Sequence, residues 1–449
     1  MGFLRIVLSS LALRVMAATA TYLCVFFLGR WLGPEDFGRF ATVLSSVLFI
    51  MTVIALGVPM GFLRTTGELR ATDRLDLLQK VIRRASRLPL RLSLVLSLLG
   101  VFYSVAMVWF EPEVRFFERP LALIASFMLL PFFLMAELNA SILRGFDRIA
   151  FALGPRDVLW RLSLLPIGYC VSQTFAPGTQ FFPLLLVSIP VLGGLVAMQH
   201  HLIKSELAQI TETTVPSEES SYDVALWSKI RPVMRRLWVT NITAIGISNL
   251  DVIAIAIFFS EESAGPYFLA SRTASLVSFT QNAVVVALGP RLSASHFSGN
   301  FDRLRSDLAL GATLAFVPAS ISFGILALYG DVVLELVGEN FVPFYPILLI
   351  LAGGHFFRAI TGASGLLLNM TGHEVLSVKI SVLALFIAIV TIGLGGYFYG
   401  VTGVAIGVAV TMVATELTVY ISSRIVTGYD ATLIGSVGQL IGGRGISDQ

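Results

Sequence analysis

The sequence predicts an all-α polytopic membrane protein with about 12 transmembrane helices, each long enough to cross ~30 Å of hydrocarbon. Three observations carry this. The 449 residues are 56% hydrophobic and 13% charged, about half the ~25% charge of soluble domains, and the mean hydropathy is +0.83. Apolar runs of about 18 residues or more recur along the whole length, leaving no polar block that could fold as a soluble domain. Lys and Arg concentrate in alternate loops, as crossing helices require.

The spans centre on segments starting near Leu11, Phe40, Leu92, Leu121, Ile149, Phe181, Leu237, Pro266, Leu308, Pro343, Ile380 and Val401. Pro59, Pro131, Pro166, Pro190 and Pro318 predict kinks, tolerated where neighbouring helices or water satisfy the freed carbonyls. The first apolar segment has full span length and no small-residue cleavage pattern, so it reads as a retained signal-anchor. A cytoplasmic N-terminus puts about 23 of the 31 basic residues inside and about four outside, namely Arg30, Arg39, Arg115 and Arg119. Both termini are then cytoplasmic. The most basic inner loop, Arg64–Arg91, carries Leu77, Leu78, Val81 and Ile82 among its charges. It predicts an amphipathic helix on the inner surface, either a topology determinant or a patch for anionic lipid.

The longest polar segment, Lys204–Arg236, is rich in Ser, Thr and Glu and reads as a flexible cytoplasmic linker. It splits the spans six and six: a bundle over 1–203, the linker over 204–236, a second bundle over 237–425 and a cytoplasmic tail over 426–449. The halves repeat weakly. "FGRF" and "ALGVP" bound the second span, as "AGPYF" and "ALGP" bound the eighth. Gly38 and Gly265 are 227 positions apart, and so are Gly145 and Gly372 in the inner loops "RGFD" and "TGHE". Parallel six-span repeats imply two bundles related by an axis along the membrane normal, with a pathway between them, an architecture of transporters.

Several chemistries are excluded. Cys24 and Cys170 both fall inside spans and form no disulfide framework or Cys/His metal site. No Walker motif, HExxH or nucleophile–base triad is present. No cofactor, metal, nucleic-acid partner or enzymatic activity is expected. The GxxxG pairs Gly396/Gly400 and Gly403/Gly407 read as helix packing.

"LGRWLGPEDFGRFA" (Leu28–Ala41), "LDVIAIAIFFSEESAGPYFLASR" (Leu250–Arg272) and "LGPRLSASH" (Leu288–His296) resemble the polysaccharide transporter and oligosaccharide flippase family. That family belongs to the multidrug/oligosaccharidyl-lipid/polysaccharide exporter superfamily. The resemblance implies two six-helix bundles forming a V around a central cavity. It also implies translocation of an isoprenoid-pyrophosphate-linked oligosaccharide by alternating access, without ATP hydrolysis, in a bacterial cytoplasmic (inner) membrane. Expected partners are the lipid-linked oligosaccharide, membrane lipids, a polysaccharide polymerase and other assembly proteins. Two alternatives stand beside it: a multidrug or organic-cation antiporter of the same superfamily, and a membrane-embedded polymerase or ligase. The short outer loops argue against the last.

A charge at mid-membrane costs about 2.5–3.5 kcal/mol on insertion scales, so the in-span charges should face a wet cavity or be paired. Arg14, Arg156, Arg161, Arg272 and Arg358 are the candidate cationic substrate path, because guanidinium forks suit phosphate oxygens. Arg14 lines the cavity mouth or snorkels to the inner surface. Arg156 and Arg161 lie five residues apart, which in an α-helix puts them on different faces. Each is a candidate for substrate contact or for pairing with Glu137 or Asp157. His355, near Arg358, is a packing histidine or a proton relay, and Glu416 is a coupling candidate. Asp251, whose counterpart by the 227-residue offset is Cys24, is expected to pair with Arg272 or share a network with Asn249.

Overall fold

A computed structural model of the chain describes residues 2–71, 77–110, 119–146, 148–213, 220–281 and 300–433, with Val284, Leu288, Leu292, Ser295, Ser298 and Gly435. Among these residues every regular element is helical, as a bilayer requires of a backbone that must satisfy its own polar groups. Among the described residues seven helices are long and apolar enough to cross a membrane, and an eighth span forms if Ile230–Ile247 and Leu250–Phe258 are one broken span. The chain divides into two compact units, Met1–Asn249 and Leu250–Gln449.

In the first unit, α1 (Gly2–Ile54) is broken at Gly33, with φ 73 and ψ 176. Glycine takes that left-handed φ without strain, and Pro34 has no N–H to continue the ladder. This one element therefore holds the two spans expected near Leu11 and Phe40. Just past the break, Asp36 is fully buried. Its carboxylate accepts from the amides of Gly178 at 2.8 Å, Gln180 at 3.2 Å and Phe181 at 3.4 Å. It thereby caps the open N-terminus of α7 (Phe181–Thr213), where a negative charge is favoured. Arg39 pairs with Asp36 at 3.1 Å and donates to the Gly178 carbonyl at 2.7 Å. The "PEDFGR" signature is thus a latch between two parts of the unit.

Helix α2 (Val58–Ala71) follows a turn closed by Gly57. Helix α3 (Leu78–Phe110) absorbs the expected amphipathic surface helix as its first turns. Leu78, Val81 and Ala85 are buried there, while Lys80, Arg83, Arg84 and Arg87 are exposed. That apolar spacing runs on into the span, so nothing ends the helix between them. Residues 72–76, Arg74 included, lie outside the described residues, as do the side chains of Arg64 and Arg70 and residues 111–118, Arg115 among them. The next span begins with α4 (Arg119–Gly145). The fifth span is composite: α5 (Ile149–Leu153), a π-helical turn over Gly154–Trp160, and α6 (Arg161–Thr174).

The polar segment expected to be a linker is helical at both ends. Helix α7 runs to Thr213 and α8 (Ser220–Ile247) begins beyond it; residues 214–219 lie outside the described residues. Helix α8 belongs to the first unit. Its Trp238 indole donates to the Val53 carbonyl at 2.8 Å, and a Cβ on Gly57 would stand 2.0 Å from the Met234 carbonyl oxygen. The first unit runs to Asn249 and the second begins at Leu250.

The second unit opens with α9 (Leu250–Phe258) and α10 (Glu261–Ala274). Ser260 caps α10 by accepting from the Ser263 amide at 3.1 Å, with Glu261 and Glu262 in the first turn, the pattern an N-terminus favours. A 3₁₀ turn, Ser275–Ser278, continues it. Most of the "LGPRLSASH" stretch lies outside the described residues. Next come α11 (Phe301–Glu335), α12 (Tyr345–Ile360) and α13 (Ser364–Met370). The last element, α14 (Glu374–Thr427), holds the final two spans, broken at Gly400 with φ 61. Its limbs meet backbone to backbone: a Cβ on Gly403 would stand 1.8 Å from the Gly395 carbonyl oxygen. Left-handed Gly428 ends α14. The first tail residues then fold back, burying Ala431 among Leu304, Leu308, Ala363 and Leu367.

Candidate functional site

Each unit brings several of its in-span charges together in a cluster. In the first, Glu137 on α4 takes one arginine on each oxygen. Arg144, one helical stretch further on, lies 3.2 Å from Oε1, and Arg156 in the π-helical turn donates to Oε2. Arg156 also pairs with its neighbour Asp157 at 2.9 Å. Arg161 donates to the Thr21 hydroxyl on α1, and more weakly to the Asp157 backbone carbonyl at 3.4 Å. Buried Cys24 lies within electrostatic reach of Arg161. The cluster thus holds three guanidinium groups and two carboxylates, and the hydrogen-bond partners of Arg161 are a hydroxyl and a carbonyl.

The π-helical turn builds this arrangement. A π-helix bonds residue i to i+5, so residues five apart fall roughly one above the other. Arg156 and Arg161, on different faces of an ideal α-helix, are drawn together around Asp157, which is within electrostatic reach of both. Gly154 and Pro155 open the turn; proline removes the amide that an α-helical ladder would need there.

The second unit's cluster lies on α9, α10, α12 and α14. Asp251 is 3% exposed. Its carboxylate accepts from the Val252 amide at 2.8 Å and from the Tyr267 hydroxyl at 3.0 Å. Arg272 lies over the Phe268 ring, 4.7 Å from its centroid, and within electrostatic reach of Asp251. Asn249 donates back to the Ile245 carbonyl at 2.9 Å, at the end of α8. Arg358 pairs with Glu416 across α12 and α14 at 3.2 Å, and Thr361 donates to the other Glu416 oxygen at 3.2 Å. His355 Nδ1 is 3.1 Å from the Ser278 hydroxyl, with Arg272 and Arg358 both within electrostatic reach of the ring. Gln281 donates to the carbonyls of Arg358 and Gly362, each at 3.1 Å.

Arg156, Arg161, Glu137 and Asp157 therefore come together in one unit, and Asp251, Arg272, His355, Arg358 and Glu416 in the other. Arg14 stands apart, exposed near the start of the first apolar stretch. The sequence reading did not name Arg144, Thr21, Tyr267 or Thr361. One signal for Tyr267 was present. Counted from Ser260, Asp251 is nine residues back and Tyr267 seven residues on, which at 1.5 Å per residue matches their depths to ~3 Å. Among the described residues no group of three or more His, Cys, Asp or Glu could hold a metal ion.

No known sequence-family model matches the chain, and no curated protein is similar to it in sequence. Its fold is nevertheless shared with solved transporters. One is a multidrug resistance MATE family transporter of the MOP superfamily in an inward-facing conformation, with a TM-score of 0.69 at 12% identity, covering 93% of this chain and 97% of that one. Another is the MATE multidrug transporter DinF-BH, solved with a bound ligand, with a TM-score of 0.59 at 17% identity, covering 95% and 96%. A third is a MOP superfamily transporter from Pyrococcus furiosus, with a TM-score of 0.59 at 13% identity, covering 94% and 95%. That structure is described by a binding pocket of reversed polarity that suggests a different function. The all-helical architecture is therefore that of MATE-type transporters, with about twelve transmembrane helices.

Proposed function

We propose that the chain is an alternating-access exporter that carries an isoprenoid-pyrophosphate-linked oligosaccharide across the cytoplasmic membrane, moving its cargo without chemical change. The observation that carries this is Arg161. It is a part-buried guanidinium whose hydrogen-bond partners are the Thr21 hydroxyl and a backbone carbonyl, in a cluster where arginines outnumber carboxylates. Such a group retains capacity for phosphate oxygens, which guanidinium forks bind well. The family-like stretches at Leu28–Ala41 and Leu250–Arg272 support the same substrate class. A transporter of this fold described by a pocket of reversed polarity is a precedent for charge setting substrate choice.

Export of organic cations is the second reading. It draws on the multidrug transporters that share the fold, and on the part-buried Glu416 carboxylate. Reconstituted vesicles separate the two. With the flippase reading, the protein moves a labelled lipid-linked oligosaccharide between leaflets with its mass unchanged, and Arg161→Gln slows this at least tenfold. Efflux of an organic cation that Arg161→Gln leaves intact, with no lipid movement, overturns it. A new covalent product would overturn both and favour an enzyme.

A further inference from the structure

The first unit contains a cavity of about 270 Å³ apart from the charge cluster, walled by α2, α3, α4 and α7. Its depth is apolar: Phe62 from α2, Leu138 and Ile142 from α4, and Ile203 from α7 are all buried. Its rim is cationic. Arg83 from α3, and His200 and Lys204 from α7, line it, all three exposed, and among the described residues no carboxylate does. Arg83 and Lys204 have no ion-pair partner among the described residues. Ser86 and Asn139 supply neutral polar atoms between rim and depth.

We propose that this cavity is a binding site for an anionic phospholipid of the adjacent leaflet, with the phosphate on Arg83 and Lys204 and the start of one acyl chain against Phe62, Leu138 and Ile142. Several facts select this occupant. The two fixed cations are set against an apolar wall, the distribution of charge in a phospholipid and not in a free anion. Among the described residues the lining charges are all basic, which favours an anionic headgroup over a cationic or zwitterionic one. The volume lies just below the ~300–1,000 Å³ of sites that enclose drug-sized ligands, so it takes part of a lipid and leaves the rest in the bilayer. The cavity also stands at the basic end of the unit, the end that Lys and Arg assign to the cytoplasmic leaflet, where anionic lipids attract basic segments. The run of arginines on α3 thus acquires a specific member, Arg83, with a role beyond setting topology.

The test uses the full chain purified in neutral detergent and reads its thermal unfolding midpoint, because a ligand that binds only the folded state raises it. Phosphatidylglycerol, phosphatidylcholine with the same chains, and inorganic phosphate are added separately. Phosphatidylglycerol is expected to raise the midpoint by a few degrees, and the other two to give less than a third of that shift. Arg83→Gln/Lys204→Gln should abolish the shift without lowering the starting midpoint, since both side chains are exposed. Arg87→Gln/Arg91→Gln, on the same helix but not lining the cavity, should keep it. Ser86→Phe, which fills the cavity, should abolish it too; if that variant does not fold, the two double variants decide. Equal shifts with phosphatidylcholine or phosphate, a shift surviving in Arg83→Gln/Lys204→Gln, or equal loss in both double variants overturns the proposal. None of these readings depends on transport, so they stand or fall apart from the proposed function.

Discussion

The Tyr267 hydroxyl donates to Oδ2 of Asp251 across 3.0 Å, and the two side chains are 0% and 3% exposed. The bond joins the two limbs of the helical hairpin that opens the second unit. Tyr267→Phe leaves a buried carboxylate short of a donor and should cost about 1–3 kcal/mol of unfolding free energy. In a double-mutant cycle, Asp251→Asn and Tyr267→Phe should couple by about 1 kcal/mol or more. The same cycle with Arg272→Gln should give a smaller term. Denaturant unfolding in detergent measures both, and a larger coupling to Arg272 would make the arginine, not the tyrosine, the principal partner of Asp251.

Arg156 serves two carboxylates at once, Glu137 and Asp157. Its removal takes from Asp157 its ion-pair partner and leaves Glu137 with Arg144 alone, so Arg156→Gln should cost about 3 kcal/mol, the low end for breaking one side of a buried pair. Glu137→Gln on that background should recover part of the loss. Thermal unfolding of the single and double variants checks this; a double variant less stable than Arg156→Gln would reject mutual pairing.

Asp36 offers a third case. It is a charge at a helix N-terminus and a salt-bridge partner together. Asp36→Ala should cost about 3 kcal/mol or more by leaving the amides of Gly178, Gln180 and Phe181 short of an acceptor and Arg39 with Glu35 as its remaining carboxylate. Asp36→Asn should cost less, because its carbonyl oxygen can still receive an amide. Reversed order of the two variants would count against the latch.

The two limbs of α14 touch through glycine. Gly403→Ala puts a Cβ within 1.8 Å of the Gly395 carbonyl oxygen, an overlap relieved only by parting the limbs, and should cost about 2 kcal/mol or more. Gly393→Ala, where a Cβ meets nothing within 4 Å, should be neutral or slightly stabilising through helix propensity. Folded yield and thermal midpoint report both.

The all-helical membrane fold was legible in the sequence because lipid imposes apolar length residue by residue, which survives without tertiary context. The partners were legible only in part. The pairing of Arg156 with Glu137 was one of the alternatives that sequence left open, because packing against α4 decides it. Tyr267 went unnamed because its ring is apolar enough to pass as core. The first turns of α3 were read as a surface helix because their charges are exposed; that Leu78, Val81 and Ala85 lie against protein depends on neighbours the local pattern does not encode. That Trp238 and the backbone at Met234 tie α8 to the helices before it is likewise a matter of packing that composition does not carry.

Burial along the fifth span has its own arithmetic. Ala152 and Pro155 begin a buried stripe whose α-helical continuation is near 159, 163, 166 and 170. Val158 extends that stripe by one turn, and beyond it the buried positions are instead Trp160, Leu164, Gly168 and Val171. The stripe slips by one residue across Gly154–Trp160, as a π turn with one extra residue demands. The span therefore carries a reading-frame shift written in hydrophobicity. Deleting one residue within it would restore an ordinary helix, yet turn Arg161 away from Arg156 by about a quarter of a turn. For a chain with this fold, alignment gaps at that single position would mark which relatives keep both arginines on one side.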